Sequence, residues 1–280
     1  MTMTKTLRSR VRLNNGVEMP YLGLGTYGPE RGLPLRDSVR LALACGYRLI
    51  DTAASYRNER QVGLALAESE IARSEIFVTT KVWNDDQGYT ETHHACQKSL
   101  AELNLGYVDL YLVHWPTDKR RTLETWRAMI TLCDEGKCRA IGVANFTVGQ
   151  LEQLVEETSV VPAVNQVEFH PFCFPRQLRD YCREHGIQLE AYSPLANANR
   201  LDHPTLKTLA ARYGKSPAQI MLRWALQHDV VVVPKSRQEH RIQENAVVFD
   251  FDLAEEAMAA LDGLDEGLRT SWYPDGWPAW

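Results

Sequence analysis

No apolar stretch in this sequence approaches the roughly 18 residues that a membrane span needs, and a membrane-spanning protein is not expected. The opening segment, Met1 to Arg10, is polar and basic without an apolar core, so no secretory leader is expected either. Cysteine is sparse: six in 280 residues, without the density of a disulfide scaffold. The nearest pair, Cys133 and Cys138, has neither a second pair nor a histidine at zinc-finger spacing. Six reduced thiols in a cytoplasmic protein are the expectation, and the sequon Asn145-Phe146-Thr147 is then incidental. Positive charge is not in excess: 31 Lys and Arg against 36 Asp and Glu leave a net charge of −5. A mildly acidic chain without a basic block speaks against nucleic-acid binding through phosphate contacts. A small anionic ligand needs only a few local charges. There is no low-complexity segment and no linker, so a single domain over residues 1–280 is expected. With 44% hydrophobic and 24% charged residues, the composition is that of a soluble globular protein.

What is present is a rhythm of short β-rich runs followed by amphipathic stretches. Eight strands are read: Tyr21–Gly25, Arg48–Asp51, Ile76–Lys81, Val108–Val113, Ala140–Val143, Val164–Phe169, Gln188–Tyr192 and Val230–Pro234. Most are apolar throughout, as strands buried on both faces of a parallel sheet must be. Helical patterns lie between them: Arg36–Cys45, Asn58–Glu68, Glu91–Leu103, Leu123–Glu135, Val148–Glu157, Pro175–Glu184, Thr205–Tyr213 and Pro217–Gln227. Eight strands alternating with eight helices predict an α/β fold of the closed (β/α)8 TIM-barrel type. Ahead of the barrel, Val11–Met19 predicts a β-hairpin with a two-residue turn at Asn15-Gly16, placed to plug the barrel's bottom. Behind it come a helix near Leu253–Leu261 and an aromatic tail, residues 271–280.

Gly23-Leu-Gly25-Thr-Tyr-Gly28 fits the dinucleotide fingerprint G-x-G-x-x-G and follows a strand. The fingerprint needs a helix opening at its end to face the pyrophosphate. Here the chain continues as Pro29-Glu-Arg-Gly32-Leu-Pro34, a loop, and Asp51 lies 28 residues from Gly23 instead of about 20. The glycines are read as shaping the first β/α loop.

In a (β/α)8 enzyme the site lies at the C-terminal ends of the strands. There the sequence places Gly25-Thr26-Tyr27, Asp51, Lys81, His114, Asn145, then Gln166, Glu168 and His170, then Tyr192-Ser193, and Lys235-Ser236. Each strand end carries polar or aromatic groups. Among them, Asp51, Tyr56, Lys81 and His114 suit carbonyl chemistry. A tyrosine serves as a general acid only if its pKa, about 10, is lowered. An ammonium beside it favours the phenolate and lowers it. Lys81 could do this, Asp51 could keep Lys81 charged, and His114 could bond a substrate oxygen. The same spacing also suits a buried Asp51–Lys81 pair that only fixes the barrel, with Tyr56 as a packing residue.

The segment Gly46-Tyr-Arg-Leu-Ile-Asp51-Thr-Ala-Ala-Ser-Tyr56-Arg-Asn-Glu59-Arg-Gln-Val-Gly63 resembles the signature of the aldo-keto reductase family. So do Lys81-Val-Trp83, Asp109-Leu-Tyr-Leu-Val-His114-Trp-Pro116 and Gly142-Val-Ala-Asn-Phe146. Further matches are Asn165-Gln-Val-Glu-Phe-His-Pro171, Ala191-Tyr-Ser-Pro-Leu195, and Pro234-Lys-Ser236 with Arg241 and Glu244-Asn245. They run in family order from Val11 to Leu253.

The resemblance implies a barrel that binds NADPH without a Rossmann domain and reduces aldehydes and ketones. It implies a tetrad of Asp51, Tyr56, Lys81 and His114 with Tyr56 as proton donor. Tyr192 would stack on the nicotinamide, Asn145 and Gln166 would hold its carboxamide, and Ser193 and Leu195 would lie along the pyrophosphate. Gly25, Thr26 and Asp51 would border the cofactor. Lys235, Ser236 and Arg241 would surround the ribose 2′-phosphate, with Glu244 and Asn245 at the adenine. The cation cluster Lys235, Arg237 and Arg241 also makes physical sense unaided, because choosing NADP over NAD requires cations at that phosphate. The family commonly has Ser before the carboxamide-binding Asn; here it is Ala144, a loss of about 1 kcal/mol for one neutral hydrogen bond. Tyr27, Trp83, His114, Trp115, Trp272 and Tyr273 are expected to line a largely apolar pocket for a small carbonyl substrate. Such walls discriminate weakly among aldehydes. The tail aromatics could instead serve packing. A monomer is expected, because a closed barrel leaves no sheet edge to pair. Rival readings are a nucleotide-sensing module with little turnover, a Lys81 Schiff-base lyase and a metal hydrolase. Against the last, no histidines lie at ligand spacing, and His93-His94 are neighbours facing different ways on a helix.

Overall fold

Asn14, Asn15 and Gly16 turn the chain back on itself and start the fold. In the computed structural model, which describes residues 5–29 and 31–273, β1 (Arg10–Arg12) and β2 (Glu18–Pro20) pair antiparallel. The turn is not the expected two-residue type. Gly16 N–H donates to the Leu13 carbonyl and Leu13 N–H to that of Val17. Gly16 takes a φ of +88°, while Asn15 is not left-handed. This is a three-residue loop in which one left-handed glycine follows a type I turn. The asparagines act through their side chains instead: Asn15 Oδ1 accepts from Val17 N–H.

The barrel strands are β3 (Leu24–Gly25), β4 (Leu49–Asp51), β5 (Phe77–Val82), β6 (Val108–Val113), β7 (Cys138–Ala144), β8 (Val164–Glu168), β9 (Gln188–Tyr192) and β10 (Val231–Val232). All pair parallel in sequence order, and bridges Leu22–Val232 and Gly25–Lys235 join β10 to β3. The closed ring is the predicted barrel. β4, β5, β6 and β8 are buried along their whole length, which is why their sequences do not alternate. The hairpin covers the N-terminal end of this ring: Asn15 Nδ2 donates to the Arg139 carbonyl in β7, and Asn14 Nδ2 to that of Pro162 just before β8. Leu13 and Met19 are buried beneath it.

The helices are α1 (Leu35–Ala44), α2 (Glu59–Ala67), α3 (Tyr89–Leu103), α4 (Lys119–Asp134), α5 (Val148–Thr158), α6 (Arg176–Glu184), α7 (Pro204–Tyr213), α8 (Pro217–Gln227), α9 (Glu239–Ala246) and α10 (Glu255–Asp262). Thr147 and Ser216 open α5 and α8 with capping boxes, each closed by the glutamine three residues on. One expectation needs correcting. Both α7 and α8 lie between β9 and β10, but α8 packs on β10 while α7 packs on α8 and α10. The eighth helix of the ring is α9, which packs on α1 and α8. Its eight residues hold only Ile242 and Ala246 as apolar positions, too few for a legible period.

Gly23 and Gly25 shape the first strand and its pairing, where the first β/α loop was expected. A Cβ on Gly25 would stand 2.7 Å from the Val233 carbonyl oxygen. No helix opens at Gly28; α1 begins at Leu35.

Candidate active site

The C-terminal strand ends open into a cleft of about 1000 Å³. At its floor, β4 delivers Asp51 and β5 delivers Lys81. The chain after β4 makes a short 3-10 turn, Ala54–Tyr56, ended by Arg57 in the left-handed region at φ +55°, and this turn delivers Tyr56. Asn58 fixes the turn: its Oδ1 accepts from the Thr52 hydroxyl at 2.7 Å and its Nδ2 donates to the Thr26 carbonyl at 3.1 Å. Lys81 is fully buried. Its ammonium donates to both Asp51 oxygens at 2.7 and 2.8 Å, to the Thr52 carbonyl at 2.9 Å, and reaches the Tyr56 oxygen at 3.4 Å. Burial opposes the Lys81 charge, but Asp51, Tyr56 and Glu190 outweigh it and push the pKa up to about 12.

Tyr56 departs from the expected electrostatics. Burial outweighs the lowering effect of Lys81, and the phenol is pushed up to about 12. The Tyr56 phenol therefore keeps its proton throughout the neutral range, with Lys81 limiting the rise.

His114, just past β6, faces Tyr56 edge-on with ring centroids 5.5 Å apart. Burial, then the Lys81 charge, holds its pKa well below the usual histidine range, so the ring is neutral at pH 7. Ser55 Oγ lies 3.4 Å from His114 Nδ1. An Nδ1 that accepts from Ser55 would leave the ring's proton on Nε2.

Around the cleft the wall is aromatic. Tyr27 lies over Tyr56 at 4.9 Å, Trp83 stands edge-on to His114 at 5.0 Å, and Trp272 packs against Trp83 at 6.1 Å and Trp115 at 5.8 Å. The far end is cationic and polar: Lys235, Ser236, Arg241, Glu244 and Asn245 border it, with Gly25, Thr26, Ser193 and Leu195 between the two ends. A cofactor site fits this shape on two observations. Thr26 Oγ1 is buried in the cleft lining without a partner among the described residues. Arg241 is exposed there with no ion pair among the described residues.

The aldo/keto reductase family model matches residues 22–266. The chain belongs to the aldo/keto reductase family. It is 51% identical over 273 residues to the glyoxal reductase of Bacillus subtilis, covering 98% of this chain and 99% of that one. It is 45% identical over 273 residues to the morphine 6-dehydrogenase of Pseudomonas putida, covering 92% of each. Among solved structures, the Bombyx mori aldo-keto reductase in complex with NADP superposes with a TM-score of 0.91 at 36% identity, covering 96% of both chains.

Not every expected residue of this aldo/keto reductase reaches the cleft. Arg237 does not border it; its side chain is buried. Glu168 and His170 are fully buried, and Glu168 turns to the tail instead. Glu168 Oε1 accepts from Thr270 N–H at 2.8 Å and from the Thr270 hydroxyl, and lies 3.3 Å from His170 Nε2. Burial opposes the Glu168 charge, but the bonds from His170 and Thr270 outweigh it and hold the pKa below the usual range. The tail is thereby anchored. Tyr192 donates to Asn145 Oδ1 at 2.8 Å, and its hydroxyl lies 3.3 Å from that of Tyr273, which bonds Arg269. The tail both packs and lines the cleft through Trp272; its last residues, 274–280, lie outside the described residues.

Sequence reasoning missed Ser55, Thr270 and Ser271, all in the cleft lining. Serine and threonine in loops carry no pattern by which to find them. Among the described residues no helix is long and apolar enough to cross a membrane, and no group of three His, Cys, Asp or Glu could hold a metal.

Proposed function

We propose that this reductase converts aldehydes and ketones to alcohols with NADPH, and that Tyr56 donates the proton. The observation that carries the reading is the cleft's two ends: Tyr56 within 3.4 Å of the Lys81 ammonium at one, and Lys235 with Arg241 at the other. When bound, NADPH supplies the hydride. The chain's own residues do the rest. Neutral His114 donates from Nε2 to the carbonyl oxygen and orients it. The Tyr56 hydroxyl bonds the same oxygen and transfers its proton as alkoxide character develops. Lys81, held by Asp51, stabilises the phenolate left behind. Asn145 and Gln166 would hold the cofactor's carboxamide, Tyr192 would meet the nicotinamide, Ser193 and Leu195 the pyrophosphate, and Lys235, Ser236 and Arg241 the 2′-phosphate. The Bombyx mori neighbour's complex with NADP supports this cofactor.

The aromatic wall of Tyr27, Trp83, Trp115 and Trp272 fits small aldehydes and ketones with flat or apolar groups. Similarity to a glyoxal reductase makes small dicarbonyls the first substrates to try. A closed barrel supports a monomer, and six free cysteines support a cytoplasmic location. The experiment is NADPH oxidation with glyoxal and with an activated aromatic aldehyde, run against NADH. Turnover that prefers NADPH supports the reading. NADPH binding without turnover on either substrate would replace it with a nucleotide-sensing role.

A further inference from the structure

Beneath the tetrad lies a second buried carboxylate that the reaction above does not use. Glu190 stands in the middle of β9 and is fully buried. Its Oε2 accepts from Gln166 Nε2 at 2.7 Å, and its Oε1 has no partner among the described residues. The same Gln166 nitrogen donates to Asp51 Oδ2 at 2.8 Å. A primary amide has two N–H groups, so Gln166 commits both to carboxyl oxygens. Its own oxygen is thereby left for the cleft, which Gln166 lines. The reversed amide would set its oxygen against two carboxyl oxygens in a poorly solvated interior. Asp51 alone could accept one N–H and leave the amide free to tilt. Glu190, paired with Gln166 in the register of β8 and β9, supplies the second point.

The charge balance agrees. Asp51 and Lys81 are the charged groups that face Glu190, from β4 and β5. Burial first, then the Asp51 charge, pushes the Glu190 carboxyl up to about 8, against Gln166 and Lys81. Glu190 then holds a proton at neutral pH, and the cluster of Asp51, Lys81 and Glu190 is neutral.

We propose that Glu190 is a positioning residue for the nicotinamide end of the cleft. Together with Asp51 it fixes the Gln166 amide oxygen as an acceptor for a carboxamide N–H of the cofactor. The inference rests on the assignment of Gln166 under the proposed function, and the test separates the two. NADPH affinity is measured by fluorescence titration of the full chain. Gln166→Ala is expected to weaken binding roughly fivefold, the worth of one hydrogen bond. Glu190→Met leaves the amide without its second acceptor and is expected to weaken binding by about threefold to fivefold. Glu190→Gln keeps an acceptor oxygen and is expected to restore most of the affinity. The double variant Gln166→Ala with Glu190→Met should bind no more weakly than Gln166→Ala alone, because Glu190 acts through Gln166. If Glu190→Met does not fold, Glu190→Asp, which draws the carboxyl back from Gln166, carries the same expectation. Wild-type affinity in the Met or Asp variant, failure of the Gln variant to rescue, or multiplying losses in the double variant would each overturn the proposal. Wild-type affinity in Gln166→Ala would instead overturn the assignment of Gln166.

Discussion

Replacing Tyr56 by Phe separates chemistry from architecture. The substitution removes one oxygen whose protein partner is the Lys81 ammonium at 3.4 Å. Lys81 keeps three closer partners, the two Asp51 oxygens and the Thr52 carbonyl, at 2.7–2.9 Å. No buried charge is stranded, and the ring keeps its packing against Tyr27 and His114. The stability cost is therefore within about 1 kcal/mol, less than a well-formed bond to an ammonium is worth, because the contact is long. The proton donor, by contrast, is lost outright. General acid catalysis contributes roughly 10²–10⁴ in rate, or about 3–5 kcal/mol of barrier at 1.36 kcal/mol per decade. The assay is steady-state NADPH oxidation at saturating aldehyde, with a parallel NADPH titration and a thermal melt. The expected result is kcat lower by at least about a hundredfold, with NADPH affinity and Tm nearly unchanged. A kcat within tenfold of wild type would refute the role of Tyr56. A large fall in Tm would refute the claim that its hydroxyl is structurally dispensable.

Lys81→Met, unlike Tyr56→Phe, leaves Asp51 buried without its cation, and the expected loss of about 3–5 kcal/mol is read by urea unfolding at pH 7; a loss below 1 kcal/mol would mean that Asp51 is not held by Lys81. Arg241→Ala should weaken NADPH roughly tenfold or more, the worth of a charge-assisted bond, and leave NADH unchanged; equal effects on both cofactors would move Arg241 away from the 2′-phosphate. Trp272→Ala should raise KM for aromatic aldehydes more than for NADPH, since its ring meets Trp83 and Trp115, and equal losses would make the tail a packing element only. Glu190 carries a pH prediction. Its carboxyl titrates near 8 in the folded chain against 4.5 for an ordinary glutamate, so between those values the native state holds a proton that the unfolded state has released. Stability should fall as pH rises from 4.5 to 8, by an amount on the order of 5 kcal/mol at most, and Glu190→Gln should remove that part of the slope when urea unfolding is followed across the range.

The barrel was legible because burial on both faces leaves an unmistakable mark: strands such as β6 are buried from end to end and apolar but for Asp109, and a helix separates each from the next. The tetrad was legible for a different reason, since Asp51, Tyr56, Lys81 and His114 sit in long family-like segments. The same burial that reveals a strand hides what its polar residues do. An acid inside a strand reads alike whether it faces the helix layer, the barrel interior or a tail yet to arrive. Glu168 was placed on the catalytic rim, and only the folded chain shows it bonded to Thr270, 102 residues later. Glu190 lay inside a recognised strand without being noticed, although its register partner Gln166 was a candidate from the start. The Tyr56 phenol shows the same limit in electrostatic form. Neighbouring residues on adjacent strands identify the charge that lowers its pKa, but the opposing cost of burial depends on how Tyr27 and His114 close around it. Its sign was set by packing that no local spacing contains. The proposed proton transfer survives that reversal, because a phenol near 12 is still far more acidic than an alcohol, and the Lys81 ammonium keeps it from rising further.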